Sequence, residues 1–423
     1  MKHRLLSFYL LLALFLPVPK THAEPAPPVE NLPTLVETAL AQNPELKSSA
    51  ARWQMYRSRA AQAGALEDPM LMFKIQNGIV TDPLSFTADG MTQKVIGISQ
   101  QLPFAGKRKL KEEIASKEAE TYRWSIEERK LELTRMVKEA YYQIYFTDKS
   151  QGILDKNIRI LDDFIALAQT KYSVGQGAQQ DIYKALLERS RMLDMKITLE
   201  QQRRSLEANL NSLLNRPQST PVGRVADFKL APLSQTPEQL WETAEANRPQ
   251  LKALRAQIER GRAGHELARK ESYPDFNVSF EYMQRQKAMG SDGSDMYSLG
   301  VTFNLPIQKE RRQAMVAESS SEVTMAGEEL AGVKNTITAG IADLLAQLDR
   351  RKKLVELYSS GIIPQASESL ESAVIGYRVN KVDFLTLLDN RVTLFNYERE
   401  YYDSMADYQM KLAQLEALIG KEL

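Results

Sequence analysis

The sequence predicts a mainly α-helical chain with a small β part, built twice over on one plan. Three observations carry this: blocks that recur at a spacing of 205 residues, as from Leu35 to Leu240; a proline-free helical tract from Arg108 to Tyr172; and two pairs of short segments in which apolar and polar residues alternate.

The 423 residues carry 55 Lys plus Arg against 54 Asp plus Glu, so no charge excess draws the chain to nucleic acid. Cysteine is absent, which excludes disulfides, thiolate metal sites, Cys nucleophiles and a lipid on an N-terminal Cys. Of the three His, His3 and His22 fall in a leader, leaving His265. Chemistry built on His is thereby made improbable, and the expectation is a protein that is not an enzyme and needs no cofactor.

Taken in order, the chain opens with Lys2 and Arg4, the apolar stretch Leu5 to Leu16, and Thr21-His22-Ala23. This is the order of a signal peptide, residues 1–23. The apolar stretch is short of the roughly 20 residues of a membrane anchor, and no later run is long enough for one. Residues 24–34, with Pro25, Pro27, Pro28 and Pro33, read as an extended tail. An exported chain of this kind enters a membrane, if at all, by strands.

Leu35-Val-Glu-Thr-Ala-Leu-Ala-Gln-Asn-Pro-Glu-Leu-Lys47 repeats as Leu240-Trp-Glu-Thr-Ala-Glu-Ala-Asn-Arg-Pro-Gln-Leu-Lys252. The same spacing relates Pro69 to Pro274, Tyr172 to Tyr377 and Val174 to Val379. The chain therefore divides into repeat 1 (35–214), a Pro- and Gly-bearing linker (215–239) and repeat 2 (240–423). Each repeat opens with a helical stretch, Leu35 to about Leu66 and Leu240 to about Glu271.

A strand pair follows in each, within 69–102 and 275–305. In repeat 2, Phe276, Val278, Phe280 and Tyr282, then Tyr297, Leu299, Val301, Phe303 and Leu305, alternate with polar or small residues. Repeat 1 is noisier, with Leu71, Phe73 and Ile75, then Ile96 and Ile98. Next comes the long helix, where Leu154, Ile158, Leu161, Ile165, Ala168 and Tyr172 form a heptad seam. A turn at Val174-Gly175-Gln176-Gly177 leads to a second helix, about Gln179 to Leu214. The opening and closing helices together match the long one in length, so each repeat supplies two helical staves.

Alternating strands suit either a globular sheet or a membrane barrel wall. Helices this long do not cover a small sheet, and lipid fits the apolar faces instead. Four strands close no membrane barrel, whereas three chains supply twelve, enough to leave a lumen under cyclic symmetry.

The duplicated plan, the Tyr172-Ser-Val-Gly175 turn, its partner Gly376-Tyr-Arg-Val-Asn380 and Leu387-Leu-Asp389 resemble the TolC family of outer-membrane efflux ducts. Within it, Ile98-Ser-Gln-Gln-Leu-Pro-Phe-Ala-Gly-Lys-Arg108 is similar to the strand-to-helix junction of the heavy-metal-efflux members, the CzcC and CusC type. The resemblance implies a homotrimer in which a 12-stranded β-barrel, in contact with outer-membrane lipid, continues into a periplasmic α-barrel. It also implies a periplasmic adaptor and a proton-driven inner-membrane pump as partners, and a heavy-metal cation as cargo. A duct for organic solutes and a periplasmic coiled-coil scaffold stand as the other readings.

It further implies an acidic aperture at Asp389, with Thr386 where the family often has a second acid and Asp383 able to substitute. Lys184 occupies the position in repeat 1 that matches Asp389. The turns Val174, Gly175, Gln176 and Val379, Asn380, Lys381 are the expected adaptor-docking tip. Against these stand plainer readings, a solvated helix Asp and inert turns. Lys107 to Lys111 reads as a basic run facing headgroups or simply solubilising a helix; His265 reads as solvated or interfacial, and Met70, Met72, Met283 and Met296 as packing or lipid contact rather than Cu(I) ligands.

Overall fold

A computed structural model describes residues 29–288, 290 and 292–423; the expected signal peptide and the start of the tail lie outside the described residues. Strand β1 (Val29–Glu30) opens the chain, followed by α1 (Leu32–Gln42) and α2 (Pro44–Ala63). Of the described part of the expected tail, only Val29 and Glu30 are extended, and Pro33 lies in the first turn of α1, where its missing N–H costs nothing.

The expected single opening helix is broken. Pro44 cannot continue α1 hydrogen bonding, and the Asn43 side chain caps α2 by accepting from Glu45 N at 2.9 Å and Leu46 N at 3.3 Å. Repeat 2 breaks in the same way at Pro249, between α5 (Pro237–Asn247) and α6 (Pro249–Lys270).

The strands of the first pair are β2 (Met70–Gln76) and β3 (Gln93–Leu102). Helix α3 (Lys107–Ser173) runs 67 residues without interruption, and α4 (Gln179–Leu213) returns beside it. The linker is not structureless: β4 (Arg224–Val225) pairs in parallel with β1.

Repeat 2 supplies β5 (Phe276–Arg285), β6 (Met296–Phe303), α7 (Lys309–Leu357), α8 (Ile363–Arg378) and α9 (Phe384–Ile419). Residues Tyr358–Ile362 form a π-helical turn between α7 and α8. Pro364 accounts for it: without an N–H to donate, and with a ring that crowds the preceding turn, it favours a wider turn, in which Ile363 N donates to Tyr358 O. The matching position in repeat 1 is Arg159, and α3 passes through unbroken.

The two strand pairs join into one antiparallel sheet of order β2-β3-β5-β6. Two apolar clusters share a pattern: Leu35, Ala39 and Leu46 pack with Leu133 and Ile144, and Leu240, Ala244 and Leu251 pack with Ile337 and Leu348. A third holds the far end of the helices together, joining Leu161, Phe164 and Ala168 of α3 to Phe384, Leu387 and Phe395 of α9. No described helix is long and apolar enough to cross a membrane.

Candidate functional site

The sheet has two unlike faces, set by period-two alternation and fixed by the register. Leu71 pairs with Ile98, Ile98 with Phe280 and Phe280 with Leu299, and two residues along, Phe73, Ile96, Tyr282 and Tyr297 form the next row. This face is open: Phe73 is 71% exposed and Leu299 74%. The other face holds Ser99, Ser279, Gly97 and Gly300, and a Lys74–Glu281 ion pair at 3.1 Å. An apolar outside against a polar inside is the arrangement of a membrane barrel wall. Within one protomer β2 and β6 are free edges.

Where the strands meet the helices, Lys107 is 1% exposed rather than solvated. Its Nζ donates to Asp275 at 2.9 Å, to the Tyr273 carbonyl at 3.0 Å and to Glu271 at 3.3 Å. Asp275 also accepts from Phe104 N at 2.8 Å, and the Phe104 and Tyr273 rings stack at 4.5 Å. Arg108 donates to the Gly64 carbonyl at 2.7 Å. Lys107 therefore clamps repeat 1 to the junction of α6 and β5 in repeat 2, because a buried ammonium demands this many acceptors, whereas Arg108 holds two parts of repeat 1 together.

At the opposite end both hairpin turns are built alike. Gly175 (φ 74°) follows α3 in the left-handed region, with Gln176 N donating to Lys171 O at 2.8 Å. Asn380 (φ 60°) follows α8 in the same region, with Lys381 N donating to Gly376 O at 2.8 Å. These are Schellman-type helix ends, in which glycine or asparagine takes the strained position. Val174 and Val379 are 62% and 58% exposed, and Gln176 and Lys381 are exposed too.

Asp383 is the N-cap of α9 and accepts from Thr386 N at 2.7 Å. Hydrogen bonds from the Thr386 backbone and hydroxyl hold its carboxyl below the usual range, with the nearby Lys184 ammonium a smaller contribution. Asp389 is exposed six residues further along α9 and, among the described residues, makes no ion pair within the protomer. Lys184, which the sequence matches to Asp389, thus acts on Asp383 inside a single chain.

Reading the sequence missed two cations that hold the tip, Lys171 and Arg391. Lys171 Nζ donates to the Tyr377 carbonyl at 2.5 Å and to the Asn380 side-chain oxygen, and lies 4.6 Å from the centre of the Tyr377 ring. Arg391, 3% exposed, donates to Asn157 Oδ1 at 2.6 Å, joining α9 to α3. A signal was present: Leu161, Phe164, Ala168 and Lys171 step along one seam, as do Leu387, Arg391 and Leu394, so both cations stand at apolar positions. His265 is half-buried, its Nδ1 3.1 Å from Ser319 Oγ. Among the described residues no three His, Cys, Asp or Glu gather as a metal site.

The sequence model of the family described as "Outer membrane efflux protein" matches residues 35–216 and again 240–421. A cobalt-zinc-cadmium resistance protein, CzcC of Cupriavidus metallidurans, is 24% identical over 190 residues, 45% of this chain and 44% of that protein. The chain spans about half the length of the curated relatives it matches. The solved outer membrane protein VceC of Vibrio cholerae superposes with a TM-score of 0.77 at 16% identity, covering 92% of this chain and 96% of that one. CusC, solved in a study of folding and transmembrane channel formation, gives 0.76 at 15% identity and 93% of each chain.

Proposed function

We infer that this chain, which belongs to the outer membrane efflux protein family, is the exit duct of a tripartite efflux system and that its cargo is a heavy-metal cation. The duct passes substrate by opening, without chemistry of its own. The observation that carries the channel reading is the four-stranded antiparallel sheet with one exposed apolar face, one polar face and two free edges. Three copies placed edge to edge, β6 of one against β2 of the next, close twelve strands around a lumen and leave no edge unpaired.

The helices continue the wall. Their staves run from the Lys107 junction at the sheet to the turns at Gly175 and Asn380. The exposed turn residues Val174, Gly175, Gln176, Val379, Asn380 and Lys381 offer a partner hairpin an apolar and hydrogen-bonding tip, which is the docking surface we assign to the periplasmic adaptor. A proton-driven inner-membrane pump is the partner we assign to supply the energy, in keeping with membership of the efflux family.

The metal cargo is supported by the junction Ile98 to Arg108, whose resemblance is to the heavy-metal members, and by the likeness to CzcC. An organic cargo is the competing reading of the same duct. Deleting the gene and plating on Co(II), Zn(II), Cd(II), Cu(II) and on dyes and detergents separates them. Sensitivity to metals alone is the expected result, and sensitivity to organic compounds alone would overturn the metal assignment.

A further inference from the structure

Tyr56 of α2 and Tyr122 of α3 lie face to face. Their ring centres are 3.8 Å apart, their planes are inclined by only 19°, and the Tyr122 hydroxyl donates to the Tyr56 hydroxyl at 2.9 Å. Aromatic pairs ordinarily take an offset or edge-on arrangement, because eclipsed ring faces repel each other. Among the described residues, every other contact between two tyrosine rings is tilted or edge-on, with planes inclined by 37° or more and centres at least 5.0 Å apart. The hydroxyl bond holds the exception in place, helped by the Arg59 guanidinium, 4.9 Å from the Tyr56 ring centre.

Because the ring centres and the hydroxyl oxygens both superpose, the ortho carbons beside the two hydroxyls superpose as well. Reactive carbon thus faces reactive carbon across the stack. Both rings are half-buried, so small oxidants reach them from solvent. The chain has no cysteine, so no disulfide can tie one helix to another in the oxidising surroundings of an outer-membrane protein. Of the 20 residues of α2 only Leu46 and Ala60 are buried, so a bond to α3 adds a fixed point where packing supplies few.

We propose that Tyr56 and Tyr122 form a one-electron oxidation site at which the two phenols couple into a dityrosine, joining α2 covalently to α3. Each phenol gives up one electron and its hydroxyl proton, the proton passing to water. The two phenoxyl radicals then form a carbon–carbon bond between their ortho carbons, and the hydrogens on those carbons move through solvent to the oxygens, restoring two phenols. The net loss is two electrons and two protons. Hydrogen peroxide, activated by a haem or redox-metal catalyst, takes up both and becomes two waters. The hydrogen bond assists the first step, since the Tyr122 O–H still donates to the Tyr56 oxygen once that ring is oxidised and so holds the radical against its partner. The site goes beyond the duct reading and does not depend on the cargo.

The test uses the purified full-length oligomer in detergent, oxidised by light with tris(bipyridine)ruthenium(II) and persulfate. Mass spectrometry of the digested monomer band from a denaturing gel is the readout, because both rings belong to one chain. The expected product joins the peptide holding Tyr56 to the peptide holding Tyr122 and is lighter than their sum by two hydrogen atoms. Tyr56→Phe and Tyr122→Phe keep the ring and its volume and should each lose the product, whereas Tyr141→Phe should retain it. Protein unfolded in guanidinium before oxidation should show no preference for this pair. Oxidation of the folded parent that yields no Tyr56–Tyr122 product, or that favours other pairs among the 17 tyrosines, would overturn the site.

Discussion

The ammonium of Lys171 ends in the backbone of the other repeat, 2.5 Å from the carbonyl oxygen of Tyr377. In repeat 2 the matching position is Gly376, so one long side chain from α3 fills the space beside the turn that ends α8. The same ammonium reaches the Asn380 side chain, tying the two hairpin tips together.

Lys171→Met should therefore free the second hairpin. The Tyr377 carbonyl keeps the Asn380 N–H, at 3.2 Å, but losing the charge-assisted bonds from Lys171 costs about 1.5–3 kcal/mol locally, and the expected outcome is larger single-channel conductance with unchanged membrane insertion. Conductance identical to the parent would mean that the clamp is structural and plays no part in opening.

Asp389, exposed on α9, is expected to converge with its two symmetry mates in the closed trimer. Asp389→Ala should lower cation selectivity in planar bilayers and weaken block by divalent cations. Since an exposed pair contributes about 0–1 kcal/mol, the effect requires the threefold set. Asp383→Asn is the companion measurement, because Lys184 acts on Asp383 within one chain. Equal selectivity in parent and Asp389→Ala would make it a solvated helix residue.

Gly175 has no atom within 4 Å of a would-be Cβ, so only its φ of 74° resists substitution. Gly175→Val should cost about 1–2 kcal/mol of backbone strain, spare barrel assembly and abolish adaptor cross-linking and efflux. Gly175→Asn, which copies Asn380, should be tolerated. Full efflux by Gly175→Val would remove the turn from the docking surface.

On the outer face of the sheet, Val301 is 62% exposed and pairs with Val278. Val301→Arg should destabilise insertion by about 2–4 kcal/mol if the position lies near the bilayer midplane. Urea titration of the protein folded into vesicles measures this, and no change would place Val301 outside the hydrocarbon.

Lys138 joins α3 to the chain end, 2.7 Å from both Glu416 and Glu422. Burial disfavours its charge, but the two carboxylates outweigh this and raise its pKa above the usual lysine value. A raised pKa means stability that is complete below about pH 10.4 and lost as pH climbs through the folded value. Thermal melts should show parent and Lys138→Met differing at pH 8 and converging once the pH has risen past the raised folded pKa. A gap that persists at high pH would assign the effect to packing.

Much of the fold was legible because it rests on periodicity. The alternation from Phe276 to Tyr282 placed β5, and the heptad seam from Leu154 to Tyr172 placed α3, since one buried face is a property of the segment itself. Pro44 and Pro249 also carried their helix breaks in plain view, although the expected opening helices ran through them. The candidate tip residues could be named from the turns and the resemblance, and their surroundings could not.

What the sequence determined by itself was the elements, their apolar faces and the kinship of the two halves. What the tertiary structure decided was which distant groups meet: Lys107 with Asp275, Lys171 with Tyr377, Arg391 with Asn157, and Tyr56 with Tyr122. The physical reason is that a period reports only how a segment divides between apolar and polar surroundings. The acceptor a buried cation finds depends on register and packing between segments more than 150 residues apart.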